Sequence, residues 1–400
     1  MKRLQSLGLS LLVLSSFIAS NPAQGQEGKP DPRLTEIANK VVTVSAKVKP
    51  GEVVVISGGI QKLPLMQAMA IEAAKAGGRV APLFVTSDQL QRAYLVDVPE
   101  QYLGQPWPGN AWLNSIDVWI SMGDTDDSKA VLENVPESRL AKTTRSAEAY
   151  RAALNNSRTR SVYIGVPNKK DAEYARMDWA VYQNMLWNAI NANYQEISEK
   201  GNQLAKMLES ANSIRITSPS GTDITMALGK RTAFVSAGLL EEQGNAGGPF
   251  LARQTSLPGG TVIIAPLETS ATGTVVAPKD TCLPYEYLIG ATYVFKEGKM
   301  TSFSAKANPA CFEQYYSAYS GDKDRIASVQ IGLNPALKVM ESGGNDFRPA
   351  EAAGMVYIGM GGDQLLGGTN KTEFGWTIPV TNASVEIDGK IVVKDGQLVF

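Results

Sequence analysis

The sequence predicts an α/β N-terminal domain with a mostly parallel sheet, followed by a C-terminal β-rich α+β domain. Three observations lead there. Strand-like and helix-like runs alternate up to about residue 210, the signature of parallel strands with covering helices. Beyond Ala211 the pattern changes to short β-rich segments separated by turn residues. The composition, 44% hydrophobic with 37 glycines in 400 residues and 19% charged, suits a loop-rich chain with one or two proper cores.

The elements follow in order. Residues 1–25 read as a signal peptide: Lys2 and Arg3 are the basic start, Leu7 to Ala19 the apolar run, and Ala23-Gln24-Gly25 the small-residue cleavage site before Gln26. The apolar run is too short for a stable transmembrane helix, and no later segment is long and apolar enough to span a bilayer. The N-terminal domain is assigned to residues 26–210. Asp31 caps a helix with Pro32 at its first position, reaching about Lys47. Lys49-Pro50-Gly51-Glu52 is a turn into the buried strand Val53 to Ile56. A helix from Leu63 to Ala76 ends at Gly77-Gly78, and strands follow at Val80 to Val85, Val118 to Ile120 and Val162 to Ile164. Asp171 is expected to cap one long helical stretch to Ser210, bridging to a second domain. The C-terminal domain, residues 211–400, closes with Ser384 to Phe400, where Asp388-Gly389 and Asp395-Gly396 predict a meander of hairpins.

Charge excludes several partners. Losing Lys2 and Arg3 takes the 38 basic residues to 36 against 39 acidic ones. Without a basic run, nucleic acid and anionic lipid are not expected partners. Cys282 and Cys311 are the two cysteines. In an exported protein a disulfide between them is favoured over two free thiols, and it would close a loop worth roughly 3–4 kcal/mol.

The chain contains no histidine. That removes the Ser-His-Asp triad, the Cys-His dyad, the zincin motif and the two-histidine iron site. Ser57-Gly58-Gly59 has the position of a phosphate-cradling turn but lacks the P-loop and dinucleotide fingerprints. Ser320-Gly321-Asp322-Lys323 has the Ser-x-x-Lys spacing without its companion motifs, and reads as a turn after a helix. Gly359-Met360-Gly361-Gly362-Asp363 follows a strand, so the backbone there turns sharply or is closely approached.

The order of segments resembles the thermophilic metallo-aminopeptidase family that includes aminopeptidases T and S. The likeness runs through Val48-Lys49-Pro50-Gly51-Glu52, Leu63-Pro64-Leu65 and Ala76-Gly77. It continues in Ser220-Gly221-Thr222-Asp223-Ile224, Leu257-Pro258-Gly259-Gly260-Thr261, Ala265-Pro266-Leu267-Glu268 and Gly273-Thr274. Ile331-Gly332-Leu333-Asn334-Pro335, Gly354-Met355-Val356-Tyr357-Ile358 and Asn370-Lys371-Thr372 complete it. The resemblance implies a two-domain protein, commonly a homodimer, with paired divalent metals held by two glutamates, two histidines and an aspartate. Here those places fall on Gly260-Thr261, Ser328, Tyr357, Gly375 and Thr377. Threonine, serine, tyrosine and glycine offer almost no charge to balance two dications. No cofactor is therefore expected, and a divalent metal only where a site has been rebuilt from carboxylates.

Three functions remain. The first is an exported aminopeptidase-like protein without its paired-metal site, binding a peptide-like or other small ligand in a pocket at Thr261, Ser328, Tyr357, Gly375 and Thr377. The second is a metal-free hydrolase using Glu268, Asp363 or Glu373, since a carboxylate in a dry pocket can have its pKa raised for acid–base work. The third is a genuine metal-dependent aminopeptidase with a rearranged site.

Overall fold

Parallel β-strands need crossover helices, and the first half of the chain supplies them in alternation. The computed structural model describes residues 32–80, 83–105, 110–136, 138–140, 142–143, 153–154, 156–240, 250–282, 286–340 and 347–400. The expected signal peptide, its cleavage site and the Asp31 cap lie outside these residues. Helix α1 (Pro32–Lys40) continues as a π-helical turn, Val41–Ser45, so the helical stretch ends close to the expected boundary at about Lys47. Strand β1 (Val53–Gly59) leads into α2 (Leu63–Lys75). The expected strand Val80 to Val85 is described as two short pieces, β2 (Arg79–Val80) and β3 (Phe84–Thr86). Both pair with β1, which also pairs with β4 (Val118–Met122), and β4 with β5 (Arg160–Ile164). Val54, Ile56, Ile120 and Val162 are fully buried with Met66 and Met69 of α2. Val55 points the other way, into a cluster with Leu113 and Ile116. Both faces of the sheet are therefore covered, as a parallel sheet requires.

The single long helical stretch is three helices, Lys169–Tyr174, Trp179–Ile190 and Tyr194–Ser210. Asp171 is not the cap. The Asn168 side chain accepts from the Asp171 N–H at 2.8 Å, while Asp178 and Asn193 cap the other two helices. Each short polar residue satisfies a free N–H at a helix start, so three caps mean three helices.

The second half forms two antiparallel sheets. Its strands are β6 (Ser213–Thr217), β7 (Asp223–Ala227), β8 (Phe234–Ser236), β9 (Gln254–Leu257), β10 (Thr261–Ile264), β11 (Thr272–Cys282), β12 (Glu286–Lys296), β13 (Lys299–Ser304), β14 (Ile326–Gly332), β15 (Val356–Gly361), β16 (Gly375–Val380), β17 (Ser384–Ile387), β18 (Lys390–Lys394) and β19 (Gln397–Leu398). One sheet has the order β16-β15-β14-β10-β8, the other β13-β12-β11-β7-β6-β17-β18-β19. Strand β9 instead pairs in parallel with β5, so the first sheet takes its edge strand from beyond residue 210. The closing meander turns at Asp388-Gly389 and Asp395-Gly396, where all four residues have positive φ, as two-residue hairpins demand. Cys282 and Cys311 form a disulfide that ties the end of β11 to the helix Pro309–Ser317.

Candidate functional site

Side chains along a strand alternate between faces, so register decides which candidates can meet. Ser328 pairs with Gly359, and Gly359 with Thr377. Gln330, Tyr357 and Pro379 form the next row on the same face; Gly361 pairs with Gly375, and Thr261 with Gly332. All five candidate pocket residues thus lie on one face of the five-stranded sheet. The intervening residues Val329, Ile331, Ile358 and Ile378 are buried in the core on the other face. Ser328, Tyr357, Gly375 and Thr377 make one patch. Thr261 is four residues along from Ser328 in register, roughly 13 Å at about 3.3 Å per residue.

The face is roofed at one end and open at the other. A Cβ at Gly332 would lie 2.1 Å from the Ala352 carbonyl oxygen, so the segment after Phe347 crosses directly over it. The Tyr357 ring packs against a cluster containing Tyr182 and Leu186 of the helix Trp179–Ile190, and its hydroxyl donates to the Arg348 carbonyl at 2.7 Å. At the other end Gly375 and Thr377 are exposed, and a Cβ on Gly375 would meet nothing within 4 Å. Behind them Trp376 points into an aromatic cluster, its ring 5.1 Å from that of Phe312 and its N–H donating to the Tyr293 hydroxyl at 3.1 Å.

A pair of divalent metals does not fit these residues. The patch offers two hydroxyls, a glycine and a phenol already donating to a carbonyl, none of them anionic or imidazole. Among the described residues no group of three or more histidine, cysteine, aspartate or glutamate side chains is placed to hold a metal ion.

The three candidate carboxylates fall into two places. Glu268 and Asp363 are buried neighbours at the ends of β10 and β15, whereas Glu373 is exposed ahead of β16. Arg231 grips Glu268 through both oxygens, at 2.8 and 2.7 Å, and the Thr369 N–H and hydroxyl donate to the same carboxylate. Burial alone would raise the Glu268 pKa, but the Arg231 guanidinium and the Thr369 bonds outweigh it and hold the group at about 2. Asp363 accepts from the Asn370 N–H at 2.8 Å, while its Oδ2 has no hydrogen-bond partner. Burial first, with the neighbouring Glu268 carboxylate, pushes it up to about 6.

Ser57, Gly58 and Gly59 are not a turn but the last residues of β1, paired with β3 and β4 and internally satisfied. Ser57 Oγ accepts from the Trp119 N–H at 2.8 Å, and the Gly59 N–H donates to the Gly123 carbonyl. Strand order reverses between β1 and β4, the switch point where open parallel sheets take ligands. Here the Lys62 ammonium fills it, donating to the Gly123 and Thr125 carbonyls beside Asp126. Burial raises Asp171 there to about 6. Neither Lys62 nor the role of Asp171 was legible from local pattern, because the strand order that brings them together is a long-range property. The Ser320-Gly321-Asp322-Lys323 segment is a turn: Ser320 accepts from the Thr372 hydroxyl and Lys323 donates to the Tyr316 carbonyl.

Comparison with known proteins gives a consistent picture of the fold. The family model for the thermophilic metalloprotease (M29) matches residues 30–322. The wild-type AmpT structure from Thermus thermophilus superposes with a TM-score of 0.71 at 18% identity, covering 92% of this chain and 99% of that one. The 2,5-dihydroxypyridine dioxygenase structure from Pseudomonas putida KT2440 superposes with a TM-score of 0.59 at 17% identity, covering 92% and 96%. In sequence, the 2,5-dihydroxypyridine 5,6-dioxygenase of Pseudomonas putida is 27% identical over 204 residues, 48% of this chain and 56% of that protein. The match thus spans little more than half the length of this curated relative.

Proposed function

The chain belongs to the thermophilic metalloprotease (M29) family, and from that premise we propose that it is a member working without the paired-metal centre, binding a small polar or peptide-like ligand on the open sheet face. The observation that carries this is the patch itself. The positions where the resemblance calls for metal ligands share one face, and four of them, Ser328, Tyr357, Gly375 and Thr377, adjoin on it, with Gly375 and Thr377 at its open end. They carry hydroxyls and a glycine in place of carboxylates and imidazoles. Hydroxyls recognise amides, carboxylates and hydroxyls by hydrogen bonds, and Gly375 leaves room for a ligand to approach the backbone. One fold carries both a metalloprotease family and a dioxygenase by name, so the fold does not set the reaction.

A carboxylate-based hydrolase is the second reading, since Asp363 titrates in a useful range. Its geometry weakens that reading: Asp363 is 2% exposed, and a Cβ on Gly368 would lie 2.0 Å from its carboxyl carbon. We propose further that the protein acts outside the cytoplasm, as a homodimer. The basic-then-apolar start and the disulfide support export; the family resemblance supports the dimer.

The test is metal analysis of purified mature protein, beside aminopeptidase assays with zinc, cobalt or manganese and ring-cleavage assays with ferrous iron. The expected result is substoichiometric metal and no chelator-sensitive turnover. Stoichiometric paired metal with chelator-sensitive peptide hydrolysis would overturn the proposal. Intact-mass measurement then reports whether the chain begins at Gln26, and sedimentation reports the dimer.

A further inference from the structure

Two buried carboxylates here share one cation. Glu268 is held by Arg231 and by Thr369, Asp363 by the next N–H along, that of Asn370. Successive amides of one loop therefore dock onto the two acids. The Asn370 side chain anchors the same loop by donating to the Ile326 and Gly361 carbonyls. The charged groups set around Asp363 are Glu268, from the segment after β10, and Arg231, from the turn after β7. Arg253, in the turn packed on Gln364–Leu366, donates instead to the Ser157 and Leu154 carbonyls. Two carboxylates beside one guanidinium leave a buried negative charge unless one acid keeps its proton. Asp363 Oδ2 has no hydrogen-bond partner, and Asp363 interacts directly with Glu268, so Asp363 is the acid that keeps the proton.

We propose that Asp363 and Glu268 form a pH-sensitive latch, closing the 362–374 loop beside the candidate pocket while Asp363 is protonated and loosening it when Asp363 ionises. The loop runs from β15 directly into Gly375, so loosening it frees the open edge of the patch. The sign follows from a raised acid. Asp363 stabilises the closed loop fully below its ordinary value of 3.8, and that contribution is lost as pH rises through about 6. Glu268, held near 2, stays ionised across this window and cancels from the comparison.

Hydrogen exchange of the Thr369 and Asn370 amides, corrected for intrinsic rates, reads the latch at pH 4.5 and 7.5. A raised acid of this size predicts a loss of protection on the order of twentyfold at the higher pH. Asp363→Asn keeps the shape but cannot ionise, so its protection should be flat with pH. Glu268→Gln is the second variant, in case the first folds poorly. It removes the neighbouring negative charge and frees Arg231 for Asp363, moving the transition below pH 4.5. A wild-type protein with no pH dependence, or either variant retaining the wild-type slope, would overturn the latch.

Discussion

Ser328 and Gly359 face each other across β14 and β15 so closely that a Cβ at position 359 would lie 2.1 Å from Ser328 Oγ. The hydroxyl is therefore laid over the glycine, inside the patch and next to Thr377. Gly359→Ala should force this hydroxyl to rotate, with a stability loss of about 1 kcal/mol from overpacking. The double variant Ser328→Ala with Gly359→Ala should recover most of that loss. Thermal denaturation of the three proteins measures it, and additive losses would show that the two side chains do not compete for one space.

Arg231 is the only cation serving Glu268 and Asp363 among the described residues. Arg231→Met should leave two buried acids without their cation and destabilise the protein by about 3 kcal/mol near neutral pH. The pH profile adds a sign. Glu268 is held far below its ordinary value of 4.5, so it stabilises the fold above that pH and loses this contribution as pH falls towards about 2. Urea titrations between pH 2.5 and 5 should show a steep acid loss in the native protein and a shallower one in Arg231→Met. Equal slopes would show that the pair does not govern acid stability.

The disulfide and the aromatic cluster form one brace. Cys311 precedes Phe312, whose ring lies 4.3 Å from Phe303, 5.4 Å from Tyr293 and 5.1 Å from Trp376. Reduction should lower stability by about 3 kcal/mol, the scale expected for a loop of 29 residues. Phe312→Ala should cost a further 3–5 kcal/mol through the cavity it leaves. Melting curves with and without a dithiol reductant measure the first, and Trp376 fluorescence should shift in both cases.

Local pattern is enough for several elements, but not for the division of the 169–210 stretch into three helices nor for the assembly. The strand at Val53, the helix at Leu63 and the Asp-Gly hairpins carry their signals within a few residues, and the structure places each where periodicity and turn chemistry predict. Asp171 is not the cap: a cap and the residue three positions after it look alike in a polar stretch, and Asn168 satisfies the same rule. The pocket positions came from resemblance, since Ser328, Thr377 and Gly375 have no local signature. That they share one face follows from strand register, which the sequence specifies only through the buried alternation of β14 and β15. The Arg231 partnership was invisible for the same reason: Arg231 and Glu268 are 37 residues apart in the chain.

Gly375 offers the sharpest test of what the patch has become. A side chain there meets nothing within 4 Å and the backbone is not in the left-handed region, so Gly375→His should fold with stability within about 0.5 kcal/mol of the parent. The new imidazole would stand where the family resemblance places a metal ligand. It should still not assemble a paired centre, because Ser328 and Thr377 beside it contribute no charge and Tyr357 is engaged with Arg348. Adding Thr377→Asp and Ser328→Glu supplies two further donors on the same face, and zinc binding should rise stepwise with each. Calorimetry across the single, double and triple variants measures this. Tight zinc binding by Gly375→His alone would mean that other groups already converge on the patch, and the hydroxyl-lined pocket would have to be abandoned.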